Sequence, residues 1–281
     1  MDPAEQALFR RLRIRTLRRV DALFAGEYHS AFRGYGLLFD GVREYLYGDD
    51  IRTIDWNVSA RTNHLYVKEF IEERELSVVL AVDVSASIDY GTVRKKREPL
   101  LEAIVLLLYL ARVNNDRVSA LLFTDRVEEY LPPRKGRGAG YALYEKIAGL
   151  NPSGRSTDIS VATEFLGKVL KKRSVIFVMS DFLDCGDHRA GLRQLARRHD
   201  VVPVVLSDPA ERSARYMGLS EFVDMETGRR VLTETVDSKT PAPDLEGFET
   251  IELGTELPAG GAVLEFLKRR ARAKRPGLRA G

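Results

Sequence analysis

Two periodicities divide the chain. Over residues 4–24, Leu8, Leu12, Leu17, Val20, Leu23 and Phe24 are broadly spaced for one helical face, which predicts an amphipathic helix. From 26 to 75 the pattern breaks into aromatic- and glycine-rich segments, expected as loops and short strands, of which residues 64–71 (HLYVKEFI) are the clearest strand. A different rhythm begins at Leu76. Residues 77–82 (SVVLAV) form a continuous apolar run ending in Asp83, as a strand buried on both faces requires. Residues 174–180 (SVIFVMS) form another, ending in Asp181. Helical patterns occupy 93–113, 141–150, 159–171 and 186–199, with strands at 117–124 and 201–206 and a short edge strand at 126–131. Pro203 cannot donate to a ladder, so its strand is expected near an edge.

Strands alternating with helices predict a mainly parallel sheet covered on both faces. With right-handed crossovers the result is a doubly wound, three-layer α/β/α domain over 76–207. Residues 1–75 read as an N-terminal helix and extension. Residues 208–281 read as a C-terminal part: a hairpin at 222–234 around Thr227-Gly228, a late strand at 249–253 and a basic helix at 262–273. The segment 238–247, with Pro241 and Pro243, is the best linker candidate.

Composition changes this picture little. Apolar residues make up 44% and charged residues 30%, ordinary for a chain that buries a core. The longest apolar run, 103–111, falls short of the ~20 residues needed to cross a bilayer. The opening Met-Asp-Pro-Ala-Glu lacks the basic-then-apolar order of a secretory signal. The single cysteine, Cys185, has no partner for an internal disulfide and reads as a bystander thiol in a reducing compartment. A cytoplasmic location is therefore expected.

Charge is more informative. The formal net charge is +3, but six arginines fall within positions 10–19 and seven Lys/Arg within 268–279. Between these ends, residues 20–267 carry 31 basic and 39 acidic residues. The basic character belongs to the two ends, where solvated helix faces are the ordinary explanation. Nucleic-acid binding is not expected, since the basic ends carry no aromatic interleaving and no recognised motif.

The candidate chemistry lies at the strand ends. In open parallel sheets ligands bind beyond the carboxyl ends of the strands, where Asp83 and Asp181 are expected. Asp83-Val84-Ser85-Ala86-Ser87 carries oxygen ligands at alternate positions, and the loop Gly154-Arg155-Ser156-Thr157-Asp158 can add the Thr157 hydroxyl. Hard cations take oxygen ligands, and Mg²⁺ wants six of them at ~2.1 Å while keeping several waters. Two carboxylates only just neutralise such an ion, and hydroxyls add no charge. It would remain a Lewis acid with a position that a carboxylate from another protein could complete.

These residues, in this order, resemble the metal-ion-dependent adhesion site of the von Willebrand factor A superfamily. The resemblance spans roughly 76–207. It implies direct coordination of Mg²⁺, Mn²⁺ or Ca²⁺ by Ser85, Ser87 and Thr157, with Asp83 and Asp181 reaching the ion mainly through water. Upstream, Tyr47-Gly48-Asp49-Asp50-Ile51-Arg52-Thr53-Ile54-Asp55-Trp56, Ser59-Ala60-Arg61 and Val67-Lys68-Glu69-Phe70 look like the signature of bacterial proteins catalogued as domain of unknown function 58. Members often occur alongside MoxR-type AAA+ ATPases, which implies an ATPase partner or a shared chaperone-like role. Asp49, Asp50, Arg52, Asp55, Trp56 and Arg61 then read either as a partner-binding surface or latch, or as an ion-pair network fastening the extension.

Alternatives remain open at this level. Ser85, Ser87 and Thr157 could merely cap helices and satisfy turns. A metal-dependent phosphoesterase would use Asp83 and Asp181, with Asp89, Asp158, Asp184 or Asp187 supplying the further carboxylates that two-metal chemistry needs. Gly136-Arg137-Gly138-Ala139-Gly140 is glycine-rich but follows Pro132-Pro133 and reads as a flexible loop; no Gly-x-x-x-x-Gly-Lys-Ser/Thr occurs. The expected role is a non-enzymatic, cation-dependent adaptor.

Overall fold

The computed structural model describes residues 17–32, 37–72, 75–136, 138–183, 188–212, 214–223, 230–238 and 243–274. The chain forms two compact units, one from residues 33–76 and the other from 1–32 with 77–281.

The larger unit is built on a six-stranded sheet. Its strands are β3 (Ser77–Asp83), β4 (Arg117–Phe123), β5 (Val127–Arg134), β6 (Val175–Ser180), β7 (Asp200–Ser207) and β10 (Ile251–Gly254). The spatial order is β10-β7-β6-β3-β4-β5, parallel throughout except for the antiparallel edge pair β4–β5. The mainly parallel sheet expected from the strand–helix rhythm is therefore present. β3 sits inside it because six of its seven residues are buried, as a strand covered on both faces demands.

Side-chain alternation sorts the helices between the two faces. Val79 and Ala81 of β3, with Ile176 and Val178 of β6, share a core with Ile159, Ala162 and Leu166 of α5 (Ile159–Val169) and Leu192 and Leu195 of α6 (His188–Ala196). The opposite face takes α1 (Leu17–Phe32), α3 (Arg97–Val113) and α8 (Ala259–Lys274). There Phe177 of β6 meets Phe32 edge-on, with ring centroids 5.9 Å apart. α3 is buried nearly all round, from Pro99 through Ala111, and also packs on α4 (Ala139–Gly149). Each of its fully buried leucines contributes about 1.5–3 kcal/mol. Among the described residues, no helix is long and apolar enough to cross a membrane.

Several boundaries differ from expectation for local reasons. The N-terminal helix runs to Phe32 rather than stopping at 24, and residues 4–16 of the expected span lie outside the described residues. Gly26 costs about 1 kcal/mol inside a helix, but Tyr28, Ala31 and Phe32 beyond it are buried. α3 starts at Arg97, not 93, because a 3₁₀ turn (Ala86–Asp89) and a tight bend at Gly91 precede it. A Cβ on Gly91 would lie 1.8 Å from the Arg94 carbonyl oxygen, so the bend needs glycine.

β7 lies one strand in from the edge, as near an edge as Pro203 led one to expect, and pairs with β6 on one side and β10 on the other. Pro203 is tolerated because β10 begins opposite Val204. The Asp200 N–H points toward β6, donating to Ser174, while the Ser207 carbonyl accepts from Thr255 on the β10 side. By alternation Pro203 faces the β10 side just before that ladder starts, where no bond is lost.

The late strand and the basic helix, expected in a separate C-terminal part after 207, belong to the same unit as the sheet. β10 closes the sheet edge, and Arg270 of α8, 5% exposed, clamps both Asp200 oxygens at 2.6 and 2.7 Å. Its guanidinium also lies 4.9 Å from the Phe32 ring centroid. At least this member of the basic C-terminal run is therefore structural. β8 (Ala214–Val223) and β9 (Arg230–Ser238) form an antiparallel hairpin longer than expected. The Thr227-Gly228 turn and Cys185 lie outside the described residues.

In the smaller unit, β1 (Leu37–Glu44) pairs antiparallel with β2 (Tyr66–Glu72). Between them lie a 3₁₀ turn (Ile51–Thr53) and the short helix α2 (Trp56–Thr62).

Candidate metal centre

β3 and β6 run side by side with Val82 opposite Met179, which sets Asp83 beside Ser180 at the carboxyl edge. Asp83 Oδ1 accepts from the Ser85 N–H at 2.9 Å, folding the loop back over the strand end. Asp83 Oδ2 accepts from Ser180 Oγ at 2.7 Å. Thr157 Oγ1 lies 3.2 Å from Asp83 Oδ2 and 2.8 Å from Ser85 Oγ. Ser85 Oγ is in turn 3.1 Å from Ser87 Oγ. Four of the five expected ligands therefore form one continuous chain of oxygen atoms.

Backbone bonds between loops hold this arrangement. Val84 N–H donates to the Phe123 carbonyl at 3.0 Å, and Ala86 N–H to the Arg155 carbonyl at 3.1 Å. Asp158 caps α5 by accepting from the Ser160 N–H at 2.8 Å. Glu128 of β5 accepts from the N–H groups of Ser153 and Gly154 at 2.9 and 2.7 Å and from Thr124 Oγ1 at 2.7 Å. These bonds outweigh partial burial and hold its carboxyl down to about 2. Gly154 has no room for a side chain: a Cβ would meet Thr124 Oγ1 at 2.2 Å and Asp125 Oδ1 at 2.3 Å.

Asp181 reaches the same edge but with a partner that the sequence did not disclose. Its Oδ2 accepts from Lys96 Nζ at 2.9 Å, and its Oδ1 from the Leu183 N–H at 3.3 Å. Lys96 also reaches Glu211 Oε1 at 2.6 Å, with its own side chain 1% exposed. Burial opposes the ammonium charge, but Asp181 and Glu211 outweigh it and raise Lys96 above the ordinary lysine range. Phe182, next in sequence, takes a left-handed conformation at φ 55°. That geometry costs a residue with a Cβ about 1–2 kcal/mol; the Phe182 N–H donates to Ser180 Oγ at 3.1 Å.

The oxygen spacings are ordinary hydrogen-bond lengths, and a small hard cation would accept the same spacing. Octahedral coordination at ~2.1 Å sets neighbouring ligands ~3.0 Å apart. The sequence Asp83 Oδ2, Thr157 Oγ1, Ser85 Oγ, Ser87 Oγ has successive separations of 3.2, 2.8 and 3.1 Å. Among the described residues no group of three or more His, Cys, Asp or Glu is gathered to hold a metal, so an ion here would rest mainly on hydroxyls. Burial, and then the Asp181 charge, push Asp83 up to about 6 despite the bonds from Ser180 and Ser85.

Ser180, Lys96 and Glu211 were missed by sequence reading. Ser180 directly precedes Asp181 and could have been flagged. Lys96 lies in the run Arg94-Lys95-Lys96-Arg97, where nothing distinguishes the buried residue from its exposed neighbour.

The upstream acids mostly serve their own unit. Asp49 makes a two-pronged pair with Arg43 at 2.6 and 2.8 Å and accepts from the Leu46 N–H, which together hold its carboxyl down to about 2. Asp50 caps the 3₁₀ turn through the Arg52 N–H, and Asp55 caps α2 through Asn57 and Val58. Arg52 and Arg61 are exposed, as is Trp56 at 67%. Arg43 was not singled out by the sequence, although it completes the Asp49 pair.

Uncharacterized proteins of Mycobacterium tuberculosis and Mycobacterium bovis are 31% identical over 230 residues, covering 81% of this chain and 73% of each relative. Among solved structures, the conserved hypothetical protein BatB from Bacteroides thetaiotaomicron aligns with a TM-score of 0.46 at 15% identity, over 70% of this chain and 99% of that one. An aerotolerance-related membrane protein from Bacteroides fragilis aligns with a TM-score of 0.41 at 15% identity, over 70% and 88%. Residues 41–242 match the family model described as protein of unknown function DUF58, and the chain belongs to that family.

Proposed function

We propose that the chain is a divalent-cation-dependent, non-catalytic protein-binding adaptor with a von Willebrand factor A-type fold. One observation carries this reading: the run of oxygens from Asp83 through Thr157 and Ser85 to Ser87, at separations close to the edge of an Mg²⁺ octahedron. Ser85, Ser87 and Thr157 would hold the ion directly, with Asp83 and Asp181 behind them. Mg²⁺ is the expected occupant, and Mn²⁺ or Ca²⁺ would satisfy the same oxygen donors.

Electrostatics favours recognition. Among the described residues Asp83 and Asp181 are the carboxylates at the site, and Lys96 offsets Asp181. The ion would remain under-neutralised, and a partner's Asp or Glu would complete its coordination. A MoxR-type AAA+ ATPase is the partner implied by the family resemblance. The proposal includes a cytoplasmic setting.

The phosphoesterase alternative draws no support from the neighbouring carboxylates. Asp89 faces Lys95 and Arg97 at 3.7 and 3.8 Å, and Asp158 is occupied as a helix cap. Asp184 and Asp187 lie outside the described residues.

The adaptor reading is tested by affinity capture with the tagged chain in Mg²⁺ and in EDTA, repeated with Asp83→Ala. A partner lost under both conditions supports the proposal. A partner retained equally by wild type in EDTA and by Asp83→Ala would overturn it.

A further inference from the structure

Lysine is almost never fully buried unless paired, and burying an ammonium costs several kcal/mol unless good geometry compensates. Lys96 meets that condition with two carboxylates from distant parts of the chain. Asp181 follows β6, and Glu211 lies on the short helix α7 (Pro209–Arg212) after β7. The lysine is fixed from its own side as well: its N–H donates to the Tyr90 carbonyl at 2.8 Å, and its Nζ lies 5.7 Å from the Tyr90 ring centroid. Glu211 is not a loose counterion either, because its Oε2 accepts from the Asp208 N–H at 3.0 Å.

Asp83 and Asp181 are both buried at the edge of adjacent strands, 0% and 3% exposed. Two neighbouring buried carboxylates repel unless positive charge is supplied. Lys96 supplies it from within the chain.

We propose that Lys96 is a resident counter-cation: a positioning residue that neutralises Asp181 in the metal-free protein and, by holding Asp181 Oδ2, sets a low intrinsic affinity for the divalent ion. This rests on the cation reading of the Asp83 site. It also extends that reading. A site whose second carboxylate is already shared binds the bare ion weakly and gains most when a partner contributes an acidic side chain. With that charge built in, the domain should fold without metal.

The test measures Mn²⁺ affinity, from the free-ion electron paramagnetic resonance signal, and urea midpoints in EDTA for wild type, Lys96→Met, Asp181→Asn and Lys96→Met/Asp181→Asn. Lys96→Met should bind Mn²⁺ at least about tenfold tighter, since a unit positive charge near the ion has been removed. It should also unfold at lower urea in EDTA and recover on adding Mn²⁺. The double variant should lose the affinity gain and regain much of the metal-free stability. Lys96→Met/Glu211→Gln, which leaves Asp181 unshared at lower total charge, should show the same tightening if Lys96→Met does not fold. Unchanged or weaker Mn²⁺ binding in the folded lysine variants would overturn the inference. Failure of the underlying cation reading has a different signature: wild type and Asp83→Ala would then bind Mn²⁺ alike, whatever Lys96 does.

Discussion

Thr157 Oγ1 and Ser85 Oγ lie 2.8 Å apart although 72 positions separate them in the chain. The contact joins the loop after β3 to the loop before α5, and these loops also share the bond from Ala86 N–H to the Arg155 carbonyl. Two uncharged side chains carry it, so removing it should test ligand function with little cost to folding.

Thr157→Val and Ser85→Ala should each lower unfolding free energy by about 1 kcal/mol, the usual net worth of one hydrogen bond. Each should also abolish most of the stabilisation by Mg²⁺. Thermal unfolding with and without the ion reads both effects, and a variant that keeps the full Mg²⁺ response removes that hydroxyl from the ligand set.

Asp83 makes a pH prediction of unusual sign. Its folded carboxyl titrates near 6, above the ordinary carboxylate range. The folded state therefore holds the proton more tightly than the unfolded state does, and metal-free stability should fall as pH rises from ~4 to ~6. The loss amounts to about 3 kcal/mol. Asp83→Asn in EDTA should flatten this segment of the stability profile and be more stable than wild type at pH 7. Mg²⁺ competes with that proton, so its affinity should weaken as pH falls through about 6.

Much of this was legible in the sequence, and its limits have physical causes. The runs ending in Asp83 and Asp181 are continuously apolar because both faces of their strands are covered, so the unbroken run sufficed to place them. Alternating oxygens in Asp83-Val84-Ser85-Ala86-Ser87 survive as a feature because Asp83 and Ser85 both meet Thr157 of another loop and Ser87 meets Ser85. Lys96 was invisible because its burial depends on a bend at Gly91 and on two carboxylates more than eighty residues away, which no local pattern encodes. The sheet membership of β10 was missed for a similar reason: a strand of four residues carries too little pattern to reveal a partner as distant as β7.

Asp208, like Glu128, should contribute acid sensitivity in the opposite direction from Asp83. It accepts from Thr92 N–H and Oγ1 at 2.8 and 2.6 Å, Thr255 Oγ1 at 2.6 Å and Ala210 N–H at 2.9 Å. These bonds outweigh burial and hold its carboxyl down to about 2. A depressed folded value means stability present above the ordinary range and lost as pH falls from ~4 toward ~2. Asp208→Ala should cost about 3 kcal/mol or more by stranding those donors, and Asp208→Asn should cost less. Urea midpoints measured from pH 7 to pH 3 distinguish the variants from wild type.

Gly154→Ala should act on the site without touching a ligand. The new methyl would collide with Thr124 and Asp125 side chains, which must shift or push the Thr157 loop away. The expected outcome is a loss of about 1–3 kcal/mol of stability together with weaker Mg²⁺ binding. Unaltered Mg²⁺ affinity in a destabilised variant would show that loop position is uncoupled from the ion.

The most direct test of the cation site is the unfolding free energy of wild type and Asp83→Ala as Mg²⁺ is raised to about 100 times its dissociation constant. Wild type should gain about 2.7 kcal/mol, and folded Asp83→Ala should gain none. Equal gains in both proteins, or no gain in wild type at any Mg²⁺ concentration, would contradict it.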